Sequence, residues 1–410
     1  MSNSKFLKKF YVKQLPPDQP PYTVDDAVYQ RFDQRNNLTV GRPSWDETIK
    51  VHTSKTKQTR AKRILENKPG FAVEDYALFT AAGVAAESNG TRINHTNRGL
   101  TSWDSLGASL PKGVNPWEGT PQAAAALLKR AARFYGADLV GIAPLDQRWV
   151  FSHAYWYDGA HKEIVFENAE KSYETETQLV IPESMRWVIV MGMRMDNEVI
   201  QYVPSPVGCA GTHLIYSRMA VLVASVGEYL RGLGYNAIPS MNDLALNIPL
   251  AVDAGFGEQG RNGKLVTPEF GPSVRICKVI TDLPMQRDNP IRFGVKEFCT
   301  VCKKCAESCP VKAISAEEPT WSGPTISNNP GQFTWHLNND VCRRYWAGGP
   351  ADNCTICIRS CPFTKSPGRV HDLTRMAISN LPALDPLWRQ LDDLLGYGTE
   401  RDATRLWKEG

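Results

Sequence analysis

Eight of the ten cysteines fall into two runs, and their spacing selects the chemistry open to them. In "CTVCKKCAESCP", Cys299, Cys302 and Cys305 recur every third residue, and Cys309 follows with Pro310 directly behind it. This is the bacterial ferredoxin run C-x2-C-x2-C-x3-C-P. Structural zinc usually takes two separated pairs, and disulfide frameworks belong to small secreted domains, so neither fits as well. Two-residue gaps let one tight loop wrap three corners of a cuboidal cluster while the fourth thiolate leaves on the following helix. In two-cluster ferredoxins that fourth cysteine ligates the other cluster. The expected ligand sets are therefore Cys299, Cys302, Cys305 and Cys361, and Cys309, Cys342, Cys354 and Cys357. The second run, "CTICIRSCP", is a repeat whose leading Cys342 is set back by an insertion, "RRYWAGGPADN". Cys209 and Cys277 are left over and read as buried small hydrophobes.

Clusters need a scaffold, and 410 residues with a 42% hydrophobic fraction and 22% charge can bury a sizeable core. A net charge of +4 is too small and too dispersed to mark a nucleic-acid surface. No apolar run is expected to reach the roughly 18 to 20 residues of a membrane span. The start, "MSNSKFLKKFYVKQLPPDQPPY", has neither an apolar core nor a twin arginine, so either a protein that stays inside or a mature form is expected.

Residues 1–115 are rich in Pro, Gly, Asn and charge and read as an extended wrapping region, with helices near "AKRILEN" and "YALFTAAGVAAE". An α/β core is expected from 116–145 and 186–293. Thr120 caps an alanine-rich helix with Pro121 in its first turn, Gly136 stops it, and the strand "DLVGIA" follows. Residues 146–185 read as an insertion of aromatic and acidic loops, after which "WVIVMGMRM" resumes as a buried strand. A long helix is expected from Thr212, with Ile215, Met219, Val223, Val226 and Leu230 on its apolar face, Tyr216 on the flank and Gly234 as stop. The strand "YNAIPS", a helix near "DLALNIPLAVDAG" and the strand "SVRICKVITD" complete the layer. On that last strand Arg275 alternates with Cys277 and Val279, placing a charge on an apolar face where it needs a partner. Residues 294–365 form the cysteine domain and 366–410 a short extension.

Gly255, Gly257 and Gly260 spell G-x-G-x-x-G. A dinucleotide fingerprint follows a strand and opens a helix, whereas this loop follows a helix and leads to a strand. The glycines read instead as a close backbone approach to another large flat cofactor.

The core, the stretch "IPLAVDAGFGEQGRNGKLVTPEFGPSVRICKVITDLPM" and the paired cysteine runs, in this order, resemble the corrinoid-dependent reductive dehalogenases over roughly residues 116–365. The resemblance implies an α+β, nitroreductase-like core holding a base-off corrinoid, beside a ferredoxin-like domain with two [4Fe–4S] clusters. No histidine occupies a D-x-H-x-x-G pattern that would ligate cobalt from below, in keeping with base-off binding. The resemblance makes Tyr216 the proton donor, Arg275 its charged partner and Asn242 a third polar contact, with the Cys309 set nearer the corrinoid. It implies the respiratory type and the chlorinated aliphatic branch, acting on a chloroethene or on a chloroalkane such as chloroform. Trp103, Trp117, Trp149 and Trp346 are candidates to wall an apolar pocket. The implied partners are a low-potential electron donor and a small membrane-anchor protein at the outer face of the cytoplasmic membrane, with a cytoplasmic location as the alternative. Two other readings stand beside it: an epoxyqueuosine reductase acting on tRNA, and a non-catalytic ferredoxin-type electron carrier.

Overall fold

The computed structural model describes residues 8–54, 56–89, 98–347, 353–366 and 368–408. The first seven residues of the chain and residues 348–352 of the "RRYWAGGPADN" insertion lie outside them.

Helix α1, Pro121–Phe134, starts where Thr120 accepts a hydrogen bond from the Ala123 amide and buries Ala124, Leu128 and Ala132. Gly136, at φ +108°, turns the chain into strand β1, Leu139–Pro144. Strand β2, Trp187–Arg194, helix α2, Pro206–Gly232, strand β3, Ala237–Ser240, helix α3, Asn247–Asp253, and strand β4, Val274–Thr281, follow in the chain. The four strands form one antiparallel sheet in the order β1-β2-β4-β3. Arg275 lies opposite Met193, and Lys278 lies between Val190 and Ser240.

Side-chain alternation gives this sheet two apolar faces. Cys277 and Val279 share a core with Ile189, Met191 and the α2 face of Ile215, Met219, Val223, Val226 and Leu230. Ile276 and Ile280 face the other way, onto Leu250, Ala251 and Val252 of α3. Burying each large aliphatic side chain of the α2 face contributes roughly 1.5–3 kcal/mol, which fixes the helix against the sheet and with it the direction of Tyr216. The helix begins six residues before the expected Thr212, because Ser205 caps it through the Gly208 amide at 3.3 Å and Pro206 occupies its first turn. By length and composition α2 could cross a membrane, contrary to expectation, but 67% of its apolar window is buried inside the fold.

Residues expected as loops between β1 and β2 contain a second sheet. Its strands are His153–Tyr155, His161–Glu167, Gln178–Pro182 and Tyr173–Glu174, in that spatial order. The N-terminal segment crosses from the core to the cysteine region. Arg31 donates to the carbonyls of Val150 and Ile164 at 3.1 and 2.8 Å. Arg42, 4% exposed, binds Asp46 at 2.6 Å and Asp340 at 2.9 Å, the latter on the helix Asn339–Ala347 that carries Cys342.

Candidate functional site

The cysteines are presented by short helices joined through strained turns. Cys299 and Cys302 lie on the helix Val295–Cys302, Cys305 on Lys304–Glu307, and Cys357 on Ile356–Arg359. Lys303 follows Cys302 at φ +50° and Thr355 follows Cys354 at φ +53°, so the Cys302–Cys305 and Cys354–Cys357 units turn through a left-handed first residue. Such a conformation costs on the order of 1 kcal/mol at a non-glycine residue and bends the chain tightly enough to aim successive thiols at one point.

The thiols divide into the two expected sets. Cys299, Cys302, Cys305 and Cys361 line one small void. Cys309, Cys342, Cys354 and Cys357 line a cavity of about 470 Å³ instead. Burial pushes the thiols of Cys299 and Cys354 up to about 12 and those of Cys302 and Cys342 to about 11, and it raises Cys305, Cys357 and Cys361 as well. Cys299 and Cys302 act on Cys361, and Cys357, Cys342 and Cys309 act on Cys354, while Cys305 senses Cys357 of the other set as well as its own partners. Thiolates buried this deeply need bound cations. Among the described residues no three His, Cys, Asp or Glu side chains converge as they would on a single ion. Four thiols spread around a space suit a multi-iron cluster.

The glycine loop lies beside the cluster segment rather than along the large cavity. A Cβ at Gly255 would meet the Asn289 carbonyl oxygen at 2.6 Å, and one at Gly257 would meet that of Val266 at 1.9 Å, so these two glycines serve chain packing. A Cβ at Gly260 would stand 3.7 Å from Cys299 Sγ. The next residue, Arg261, is 1% exposed and donates to the carbonyls of Cys299, Ser315 and Glu317 at 2.8–2.9 Å. Asn262 donates to the Cys357 carbonyl at 3.3 Å. This loop seats both cysteine runs.

Tyr216, Asn242 and Arg275 all line the large cavity together with the Cys309 set. The Asn242 amide nitrogen is 3.0 Å from the Tyr216 hydroxyl oxygen. The Arg275 guanidinium lies over the Tyr216 ring, 5.6 Å from its centre, and donates to Thr212 Oγ1 at 3.4 Å. Its Nε is buried with no hydrogen-bond partner, a free donor at the cavity wall. Against the effect of burial, the charge of Lys264 and, less strongly, that of Arg275 lower the Cys357 thiol, so the cation over the tyrosine ring also acts electrostatically on the second cysteine set.

Trp346 lines the cavity. Trp103 and Trp149 are instead core residues, Trp149 donating to Asp253 at 3.2 Å, and Trp117 packs beside α2. Tyr155, Trp156, Tyr157, His213 and Lys264 line the cavity and were not singled out from sequence. Three of them stand in the aromatic stretch "HAYWYDG", whose placement depends on the second sheet. His213 packs its ring against Phe79, with centres 4.2 Å apart.

A family model described as reductive dehalogenase subunit matches residues 48–285, more than half of the chain, and one described as a 4Fe-4S dicluster domain matches residues 298–365. The chain is 38% identical over 369 residues to the tetrachloroethene reductive dehalogenase of Sulfurospirillum multivorans, covering 85% of this chain and 72% of that one. It is 35% identical over 374 residues to the tetrachloroethene reductive dehalogenase of Desulfitobacterium hafniense, covering 81% of this chain and 67% of that one. A solved reductive dehalogenase, described with a mechanism for B12-dependent dehalogenation, shares the fold at a TM-score of 0.68 and 20% identity. That likeness takes in 97% of this chain and 50% of the solved one, so the chain spans half the length of that structure. The matched family model, the close relatives and the cysteine-lined cavity agree, and the chain belongs to the reductive dehalogenase family.

Proposed function

We propose that this chain reductively dehalogenates a small chlorinated ethene, replacing a carbon–chlorine bond by carbon–hydrogen with release of chloride. The reaction consumes two electrons and one proton. The observation that carries the reading is that Tyr216, Asn242 and Arg275 share one cavity with the Cys309 set, so acid, charge and an electron entry point face the same space.

The residues fit both cofactors. The two sets of four thiols would hold two [4Fe–4S] clusters, and their buried, raised thiols gain from iron what the protein alone does not supply. A cavity of about 470 Å³ is roomier than a chlorinated ethene needs. The cysteines, Tyr216 and Arg275 line it together, and these residues would hold a corrinoid there. With no D-x-H-x-x-G histidine, and with His213 packed on Phe79, a base-off corrinoid is the form these residues favour. When bound, the corrinoid supplies a low-potential cobalt that delivers electrons to the carbon–halogen bond.

The chain's own residues do the rest. Tyr216 carries the phenolic proton and gives it to the carbon once electrons arrive. Arg275 over the ring and the Asn242 amide then stabilise the phenolate. The close relatives are named for tetrachloroethene, which favours chlorinated ethenes over chloroform for this chain. The same reading carries a nitroreductase-like core at 116–145 and 186–293, with 146–185 inserted, and a ferredoxin-like domain at 294–365. It also carries a low-potential electron donor, a small membrane-anchor partner and a location at the outer face of the cytoplasmic membrane.

The test is anaerobic purification with cobalt and iron analysis, low-temperature EPR, and chloride release from tetrachloroethene, trichloroethene and chloroform. One cobalt, about eight irons and chloride release from the ethenes are expected. Eight irons without cobalt, in protein made where corrinoid was available, overturns the reading in favour of an electron carrier.

A further inference from the structure

Lys278 sits in the middle of β4 on the face opposite Arg275, with no exposed surface. A buried ammonium is tolerated only where its donors are matched. Its Nζ donates to the carbonyls of Met241 and Asp243 at 3.0 and 3.1 Å and to Asn247 Oδ1 at 2.8 Å. All three acceptors belong to the turn and helix start that surround Asn242, so the lysine grips the segment from beneath. Burial pushes its amine down to about 8.

The direction of an amide side chain is set by its neighbours. At Asn247 those neighbours leave one choice. An ammonium only donates, so the amide oxygen faces Lys278. The backbone carbonyls of Met241 and Ile276 only accept, so the amide nitrogen faces them, at 2.8 and 3.2 Å. The same nitrogen lies 3.0 Å from Asn242 Oδ1. Asn242 is thereby turned as well, its oxygen toward Asn247 and its nitrogen toward the Tyr216 hydroxyl oxygen at 3.0 Å.

We propose that Lys278 and Asn247 are positioning residues that fix the polarity of a hydrogen-bond chain, so that Asn242 donates to Tyr216 and leaves the tyrosine proton free for the cavity. The inference rests on Tyr216 being the proton donor. In the step it serves, the Tyr216 O–H bond breaks and a C–H bond forms on the substrate, the phenolate staying under the Asn242 N–H until solvent returns a proton. With Asn242 reversed, its carbonyl would accept the tyrosine proton, hold it away from the substrate and then repel the phenolate. Two groups that never touch substrate would thus decide whether the acid points the right way.

Asn247→Asp tests this at nearly constant shape: the carboxylate still accepts from Lys278 and has no hydrogen to give Asn242. Lys278→Met attacks the chain from its other end. Each is compared with wild type as holoprotein by kcat, KM, the solvent deuterium isotope effect, and the 13Cζ signal of Tyr216 in tyrosine-labelled protein, assigned by its loss in Tyr216→Phe. The expected result is a fall in kcat of about tenfold or more with KM within about twofold, a larger isotope effect, and a displaced Tyr216 signal. Either variant with a wild-type kcat and an unmoved signal overturns the proposal. So does loss of cobalt and iron with an unmoved signal, which marks a purely structural role. Near-normal turnover in Tyr216→Phe would instead sink the reading of Tyr216 as donor, while the signal in the other variants still reports the direction of the chain.

Discussion

The amide nitrogen of Asn242 lies 3.0 Å from the phenolic oxygen of Tyr216, on a turn that follows β3, while Tyr216 itself comes from the middle of α2. The two residues are brought together because α2 and β3 pack on each other, Gly227 of the helix allowing Pro239 of the strand to approach. With Arg275 over the ring, the phenol has an amide at its oxygen and a cation at its face.

Tyr216→Phe removes only the hydroxyl, so iron and cobalt contents are expected to stay at wild-type levels. Loss of a general acid predicts a fall in kcat of about 10²–10⁴-fold. Chloride release under saturating tetrachloroethene checks it, and turnover within a few-fold of wild type would remove Tyr216 from the chemistry.

Arg275→Leu withdraws the cation from the tyrosine ring and from Cys357. A desolvated cation–π contact of up to about 2 kcal/mol predicts a loss of kcat of up to about thirtyfold. The second-set cluster should become harder to reduce, its potential falling as the positive charge leaves. EPR-monitored titration reads this shift, and an unchanged potential would show that the guanidinium does not act on that cluster.

Cys357→Ala and Cys361→Ala should strike different clusters, since Cys357 faces the large cavity with Cys309 and Cys361 lines the small void with Cys299. Each variant is expected to lose about half its iron, with a different cluster signal missing in each. Loss of the same signal from both would refute the partition.

Asp253 accepts hydrogen bonds from Tyr22 at 2.7 Å and Trp149 at 3.2 Å, yet burial pushes its carboxyl up from 3.8 to about 6. At this site the folded state binds more protons than the unfolded state, so the contribution of Asp253 to stability falls as pH rises from about 4 to 6, by at most about 3 kcal/mol. Asp253→Asn should flatten that fall. Urea unfolding followed by tryptophan fluorescence at several pH values between 4 and 7 checks it, and an equally steep fall in the variant would assign the dependence to other groups.

Local spacing determined much of this protein by itself. The x2-x2-x3 rhythm fixes how a loop can wrap a cluster, so spacing alone gave the expected grouping of the cysteines before any fold was known. Periodicity likewise located Thr120 as a cap, the α2 face from Ile215 to Leu230, and Arg275 on the face of Cys277 and Val279. Where the cause is non-local, sequence alone was mute or misleading. The start of α2 in "PVGCAG" carries small residues with no clear apolar stripe, and its position follows from the Ser205 cap and the packing of Gly208 against Val203. The second sheet rests on pairings such as Glu163 with Gln178, and only that pairing brings "HAYWYDG" to the cavity. Trp149 looks the same in sequence whether it walls a pocket or meets Asp253 in the core. The glycines of "GFGEQG" signal a close approach without naming what approaches, which proves to be the chain's own carbonyls and the seat of the cysteines. Lys278 is the clearest case: a charge in an apolar strand looks like an error until the turn at 241–243 and the start of α3 supply its acceptors, and those groups meet only when sheet and helix are packed.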